Sequence, residues 1–79
     1  MISSEYYNLI NNIKTYRKNN NLTQEQLAEK ANLSVSYIKQ IEGEKSFKNL
    51  TFKTLFKIAK ALNINVNELF LENSNKIGV

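Results

Sequence analysis

The sequence predicts an all-α domain, a compact bundle of five helices that occupies residues 1–79 as one unit. Three observations carry that expectation. Proline is absent and only Gly43 and Gly78 interrupt the chain, a composition that suits helix interiors. Apolar residues recur at spacings of three, four and seven. One local pattern then appears four times: an apolar residue, a capping residue, and a second apolar residue four positions beyond the cap. It reads Leu22-Thr23 with Leu27, Leu33-Ser34 with Ile38, Leu50-Thr51 with Leu55, and Ile64-Asn65 with Leu69. A cap of this kind accepts a hydrogen bond from an orphan amide of the first turn, and the flanking apolar pair fixes the angle at which the chain enters the helix. Thr23 with Gln26 and Asn65 with Glu68 add the reciprocal capping box.

The elements follow in order. Helix 1 is expected from Glu5 to Asn19, with Tyr6, Leu9, Ile10, Ile13 and Tyr16 on one stripe and the run Asn19-Asn20-Asn21 as its stop. Helix 2 covers Gln24 to Ala31 and turns Leu27, Ala28 and Ala31 inward. Helix 3 runs from Val35 to about Glu42 with Ile38 and Ile41 inward. Helix 4 spans Phe52 to Leu62 and buries Leu55, Ile58, Ala59 and Leu62. A short helix 5 is expected over Val66 to Leu71, followed by a polar, frayed tail at 73–79.

Composition narrows the function classes. A chain of 79 residues buries a modest core, and it contains no cysteine or histidine. Disulfides and a zinc or iron site are therefore excluded, no cofactor is expected, and self-association is the natural supplement to stability. No apolar run approaches the roughly 18 residues of a membrane span. Residues 1–5 lack the features of a signal peptide, so a cytoplasmic location is expected. With aspartate also absent, no nucleophile stands beside a base and no glycine-rich phosphate loop exists; an enzyme is not expected. The net charge is +4. Lys39, Lys45, Lys48, Lys53, Lys57 and Lys60, against Glu42 and Glu44, carry that whole excess in one segment. An anionic partner is suggested.

The most informative stretch is Thr23 to Glu42. Two helices of about two turns are joined by Ala31-Asn32-Leu33-Ser34. A tight helix-helix turn needs a residue of positive φ at its start, and Asn32 is the best non-glycine choice. Leu33 plugs the angle, Ser34 caps the second helix, and Ala28 permits close approach. This is the logic of a helix-turn-helix, whose second helix lies in the DNA major groove.

These residues resemble a known family. Leu22-Thr23-Gln24-Glu25-Gln26-Leu27-Ala28-Glu29-Lys30-Ala31 and Leu33-Ser34-Val35-Ser36-Tyr37-Ile38-Lys39-Gln40-Ile41-Glu42 look like the Cro/phage-repressor, or Xre-type, helix-turn-helix. The likeness continues through Leu50 to Leu62 and on to Leu69-Phe70. It implies a lambda-repressor-like fold. The bare length and Asn49-Leu50-Thr51 are most similar to the controller proteins of restriction–modification systems; free-standing phage repressors and antitoxin-type regulators share the frame.

The resemblance implies roles by position. Thr23 and Gln24 stand at the start of helix 2, where an amide and a helix N-terminus hold a phosphate. Ser34, Val35, Ser36, Tyr37, Lys39 and Gln40 fall on the recognition helix. Lys45, Ser46, Lys48 and Asn49 fall on a loop that contacts backbone phosphate. Arg17 and Glu42 match a structural ion pair. Arg17 is the sole arginine of the sequence, so its pairing leaves none for the common bidentate contact to guanine. Reading then rests on Gln40 for adenine, Lys39 for guanine, and Val35 or Tyr37 for thymine methyls, which predicts A·T-rich half-sites. Two departures stand out. Asn32 replaces the usual turn glycine, and Gly43 follows Glu42 directly, with Glu44 next. That order shifts the helix 3 C-cap or forces Glu44 into an unfavourable φ, and it adds a negative charge near the DNA backbone.

Blander readings compete at several positions. The apolar stripes are core. Lys53, Lys57 and Lys60, at i, i+4 and i+7, are most simply a solvated face. Gln24 and Gln40 taken singly would be ordinary helix surface, and the recognised frame turns them toward DNA. Tyr6 and Tyr16 belong to the core side of helix 1 and Tyr7 to the surface. The sequence therefore predicts a homodimeric regulator of double-stranded DNA that reads a palindrome, with Val66, Asn67, Phe70 and Leu71 at the dimer interface and no small-molecule effector or membrane partner. The alternative is an antitoxin-type or other interaction module whose main partner is a protein.

Overall fold

The computed structural model describes residues 4–43 and 50–71. Four helices, α1 (Ser4–Asn19), α2 (Gln24–Ala31), α3 (Val35–Gly43) and α4 (Phe52–Ala61), are followed by a 3₁₀ turn, η1 (Val66–Phe70). The tail expected to fray at 73–79 lies outside the described residues.

Three of the four expected helix starts hold their side-chain cap, and the fourth is closed by the reciprocal bond from Glu68. Thr23 Oγ1 accepts from Gln26 N at 3.0 Å while Gln26 Oε1 accepts from Thr23 N at 2.9 Å. Ser34 Oγ accepts from Tyr37 N and Thr51 Oγ1 from Thr54 N, both at 3.1 Å. Glu68 Oε2 accepts from Asn65 N at 3.3 Å. The far member of each apolar pair, Leu27, Ile38, Leu55 and Leu69, is buried.

The helix ends share a device as well. Asn21, Asn32 and Asn63 adopt left-handed backbone at φ 58°, 58° and 62°. In each case the next residue's amide reaches back five positions: Leu22 to Arg17 O at 3.1 Å, Leu33 to Ala28 O at 2.8 Å, and Ile64 to Ala59 O at 3.0 Å. This is the Schellman closure, which satisfies a carbonyl that the helix leaves orphaned. Asparagine tolerates the left-handed region better than other side chains with a Cβ. Each junction is thus one tripeptide: a left-handed asparagine, an apolar plug, and the cap of the next helix.

Leu9, Ile10 and Ile13 of α1 meet Leu27, Ala28 and Ala31 of α2, Ile38 and Ile41 of α3, Leu55, Ile58, Ala59 and the capping Leu62 of α4, and Leu69 of η1 in one core. α2 packs against both α3 and α4, and α1 lies across α3 and η1.

The fifth element corrects the sequence reading. It is a 3₁₀ turn ending at Phe70, not an α-helix ending at Leu71. Its closing bonds span three residues, Glu68 N to Asn65 O at 3.0 Å and Leu71 N to Glu68 O at 3.4 Å, and Leu71 is extended at φ −73°, ψ 145°. Five residues fall far below the length at which α-helical hydrogen bonds repay nucleation, and the tighter turn is the usual outcome in short pieces. Tertiary bonds hold it instead. Tyr16 Oη donates to Glu68 Oε1 at 3.2 Å, and the Leu69 and Leu71 carbonyls accept from asparagines of α1.

Arg17 of α1 and Glu42 of α3 form a two-pronged pair. Arg17 Nε donates to Glu42 Oε2 at 2.8 Å and Nη2 to Oε1 at 3.0 Å, while Nη1 donates to Leu22 O at 2.8 Å. The two side chains are 11% and 3% exposed. Removing one partner of a buried pair strands the other charge.

Three outcomes follow. Glu42→Ala lowers the unfolding free energy by about 3–5 kcal/mol in urea titrations, and a loss below about 1 kcal/mol contradicts the assignment. Asn63→Gly raises the melting temperature while Asn63→Ala lowers it, because only glycine occupies left-handed backbone more freely than asparagine. Tyr16 is held above the ordinary phenol value of 10.0, first by burial and then by its hydrogen bond to the Glu68 carboxylate. A raised folded value means that the unfolded chain loses this proton first. The contribution is complete below pH 10.0 and is lost as pH rises through the folded value. Stability measured by circular dichroism therefore declines less steeply above that pH in Tyr16→Phe than in the parent chain.

Candidate nucleic-acid interface

α3 has two clearly different sides. Ile38, Ile41 and Glu42 are buried, and Val35 and Tyr37 are half-buried against the core. Ser34, Ser36, Lys39, Gln40 and Gly43 are exposed. Ser36, Lys39, Gln40 and Gly43 follow the three- and four-residue spacing of one helix face. The left-handed turn at Asn32 and the Ser34 cap orient that face, because together they set where α3 starts and at what angle it leaves α2.

Gly43 ends the helix without taking positive φ, and a Cβ built there would meet nothing within 4 Å. α3 therefore runs one residue beyond Glu42, and the last turn of its outer face carries no side chain at that position. Glu44, Lys45, Ser46, Lys48 and Asn49 lie outside the described residues.

At the start of α2, Thr23 is exposed and Gln24 half-buried. Gln24 Nε2 donates to Glu42 Oε1 at 3.0 Å. The sequence reading had Gln24 facing a phosphate and did not anticipate this bond. An amide carries two N–H donors. One is held by Glu42, which fixes the orientation of the other. Glu42 thus receives three donors, and its charge is matched inside the fold. The outer face of α3 is left with Lys39 as its cation, and the Arg17 guanidinium is spent on Glu42 and Leu22.

Two features were missed. Asn12 sits on the α1 core stripe, 1% exposed, and Nδ2 donates to Leu69 O at 2.8 Å and to Leu71 O at 2.6 Å. Asn8, one turn earlier, donates to Leu71 O at 2.8 Å. The signal was a polar residue three positions beyond Leu9, inside an apolar stripe. The second feature is an exposed aromatic pair. Phe52 and Phe56 are 59% and 52% exposed, with rings edge to face and centroids 4.9 Å apart. Their i, i+4 spacing beside Leu55 and Ala59, at the edge of the core stripe, was visible in the sequence.

The remaining named residues lie elsewhere on the surface. Lys53 and Lys60 are exposed and Lys57 half-buried; with Phe56, Ile64 and Val66 they border an open groove of about 740 Å³ between α4 and η1, lined by no residue of α2 or α3. Of the residues expected at a dimer interface, Val66 is half-buried, Asn67 is exposed, and Phe70 and Leu71 are 48% and 50% exposed. Among the described residues no cluster of three or more acidic, cysteine or histidine side chains could hold a metal ion, and no helix is long and apolar enough to cross a membrane.

Known proteins share this frame. The helix-turn-helix family model matches residues 13–69. Control protein C.SmaI of Serratia marcescens is 43% identical over 68 residues, which cover 86% of this chain and 79% of that protein. The immunity repressor protein of Bacillus phage phi105 is 47% identical over 62 residues, 78% of this chain but 42% of the repressor, so the chain spans less than half of that relative. The solved restriction–modification controller protein C.AhdI of Aeromonas hydrophila superposes with a TM-score of 0.77 at 28% identity, over 86% of this chain and 100% of that one. The matched segment holds the turn, the outer face of α3 and the Arg17–Glu42 pair, and the chain belongs to the Xre-type helix-turn-helix family of DNA-binding transcriptional regulators, a family of binding proteins and not of enzymes.

Proposed function

We propose that the chain acts as a homodimer on a palindromic, A·T-rich operator, as a regulator of the restriction–modification controller type. The observation that carries this reading is the outer face of α3. It offers Ser36, Lys39 and Gln40 to a groove while the sole arginine is turned away into Glu42. Gln40 pairs two-pronged with adenine, Lys39 reaches guanine as a point charge, and the half-buried Val35 and Tyr37 supply apolar contact to thymine methyls. The second N–H of Gln24 and the amides at the start of α2 meet a phosphate. Lys45, Ser46, Lys48 and Asn49, which follow α3 in the sequence, add contacts to the DNA backbone.

A single α3 spans only a few base pairs. Two copies about 34 Å apart, related by a two-fold axis, read both halves of a palindrome and multiply the discrimination. Phe70 and Leu71 are half-exposed apolar side chains on η1 and suit such an axis, with Val66 and Asn67 beside them. Occupancy of the operator then blocks or recruits polymerase, and protein concentration sets the response. Similarity to C.SmaI and C.AhdI supports the controller assignment.

The same exposed η1 surface favours a second reading, in which the main partner is a different protein. The two are separated by selection from random duplex DNA, followed by a salt titration on the selected sequence. The proposal expects a palindromic A·T-rich consensus, bound roughly 10³-fold or more above random duplex and with a steep salt slope. Lys39→Ala with Gln40→Ala removes roughly 1–3 kcal/mol per contact and relaxes the consensus at those positions. Weak uniform binding without a consensus contradicts specific recognition. A G·C-dominated consensus contradicts the assigned readout, and a monodisperse monomer at tens of micromolar contradicts the dimer.

A further inference from the structure

The carbonyls that flank Phe70 are held from one side by α1. Asn12 Nδ2 donates to both Leu69 O and Leu71 O, and Asn8 Nδ2 adds a second bond to Leu71 O. A 3₁₀ turn of five residues has few internal bonds to fix its own last carbonyls. Leu69, fully buried, also anchors the turn to the core through its side chain. The Asn12 side chain is nevertheless 99% removed from solvent, and its Oδ1 accepts no hydrogen bond among the described residues. An unfilled buried acceptor is unfavourable, and the two bonds to Leu69 O and Leu71 O are what offset it. What the asparagine adds is a bonded carbonyl on both sides of a phenylalanine that faces outward. Phe70, at 48% exposure, is therefore presented with its neighbouring carbonyls clamped, and Leu71 follows in extended backbone with its own carbonyl held twice.

We infer that Asn12, assisted by Asn8, is a positioning residue for self-association: it holds η1 so that Phe70 and Leu71 meet the same residues of a second copy in one fixed geometry. The inference rests on the dimer reading above. In a two-fold interface the same patch appears on both sides, so any looseness of η1 enters twice. Ordering mobile backbone on binding weakens association, and the clamp completes that ordering in the monomer. Asn12 reaches DNA recognition only through the dimer, since it touches neither α2 nor α3 in these bonds.

The test measures the dimer dissociation constant by sedimentation equilibrium and, in parallel, monomer stability by urea titration at concentrations far below that constant. The variants are Asn12→Ala, Asn8→Ala and Phe70→Ala. The inference expects Asn12→Ala to weaken the dimer about tenfold and Asn8→Ala about threefold, the scale of one or two net hydrogen bonds. It also expects weaker binding to a full palindrome with unchanged binding to a half-site. Asn8 is only half-buried, so Asn8→Ala carries the test if Asn12→Ala fails to fold. Asn8→Gln, which keeps a donor, restores part of the loss. If the asparagine variants lower monomer stability but leave the dimer constant unchanged while Phe70→Ala raises it, the clamp serves the monomer fold alone and the inference is overturned with the dimer reading intact. If the parent chain is monomeric, or Phe70→Ala leaves the dimer constant unchanged, the dimer reading itself has failed and the inference falls with it.

Discussion

Glu42 is 4% exposed and is the point at which three helices are tied together. It belongs to α3, takes two bonds from Arg17 of α1, and takes a third from Gln24 at the start of α2. A carboxylate removed from water to this degree is tolerated only when charge-assisted donors replace the solvent. The arrangement therefore constrains more than its own geometry. It sets how far α3 lies from α1, and it orients the first side chain of α2. It also withdraws the chain's one guanidinium from the surface. Under the proposed function, the residues left to read DNA follow from that withdrawal.

The corners transmit this constraint to the outer face of α3. At Asn21-Leu22-Thr23, Asn32-Leu33-Ser34 and Asn63-Ile64-Asn65 the chain ends one helix and begins the next within three residues. The left-handed asparagine ends the first helix, the apolar plug seals against the core, and the cap begins the second. Little conformational freedom remains in such a connection, so the angle between α2 and α3 is set locally as well as by packing. A domain of 79 residues with no cysteine depends on corners that leave little slack.

Much of this was legible because it depends on local chemistry. Capping residues and their apolar partners act within five residues of one another, and the starts of α2, α3, α4 and η1 all lie where that pattern put them. The positive φ of Asn32 was legible because a tight helix-helix turn demands it. Asn21 and Asn63 perform the same service but sit among other asparagines, where composition hides the role. The character of η1 was not legible. Its periodicity suits a helix, but its tertiary bonds to Tyr16, Asn12 and Asn8 decide its form. The Gln24–Glu42 bond was hidden for the same reason, since 18 positions separate the partners. The Arg17–Glu42 pair spans 25 positions and could be expected only from resemblance, not from spacing.

The central claim is that the fold exists to present the outer face of α3 to DNA. The most direct measurement is an amide chemical-shift titration of the labelled protein with a short A·T-rich duplex. The largest shifts should cluster from Ser34 to Gln40 and at the start of α2 around Gln24. The α4–η1 groove at Lys53, Lys57 and Lys60 should remain nearly unmoved. Shifts concentrated in that groove, with α3 unperturbed, would contradict it.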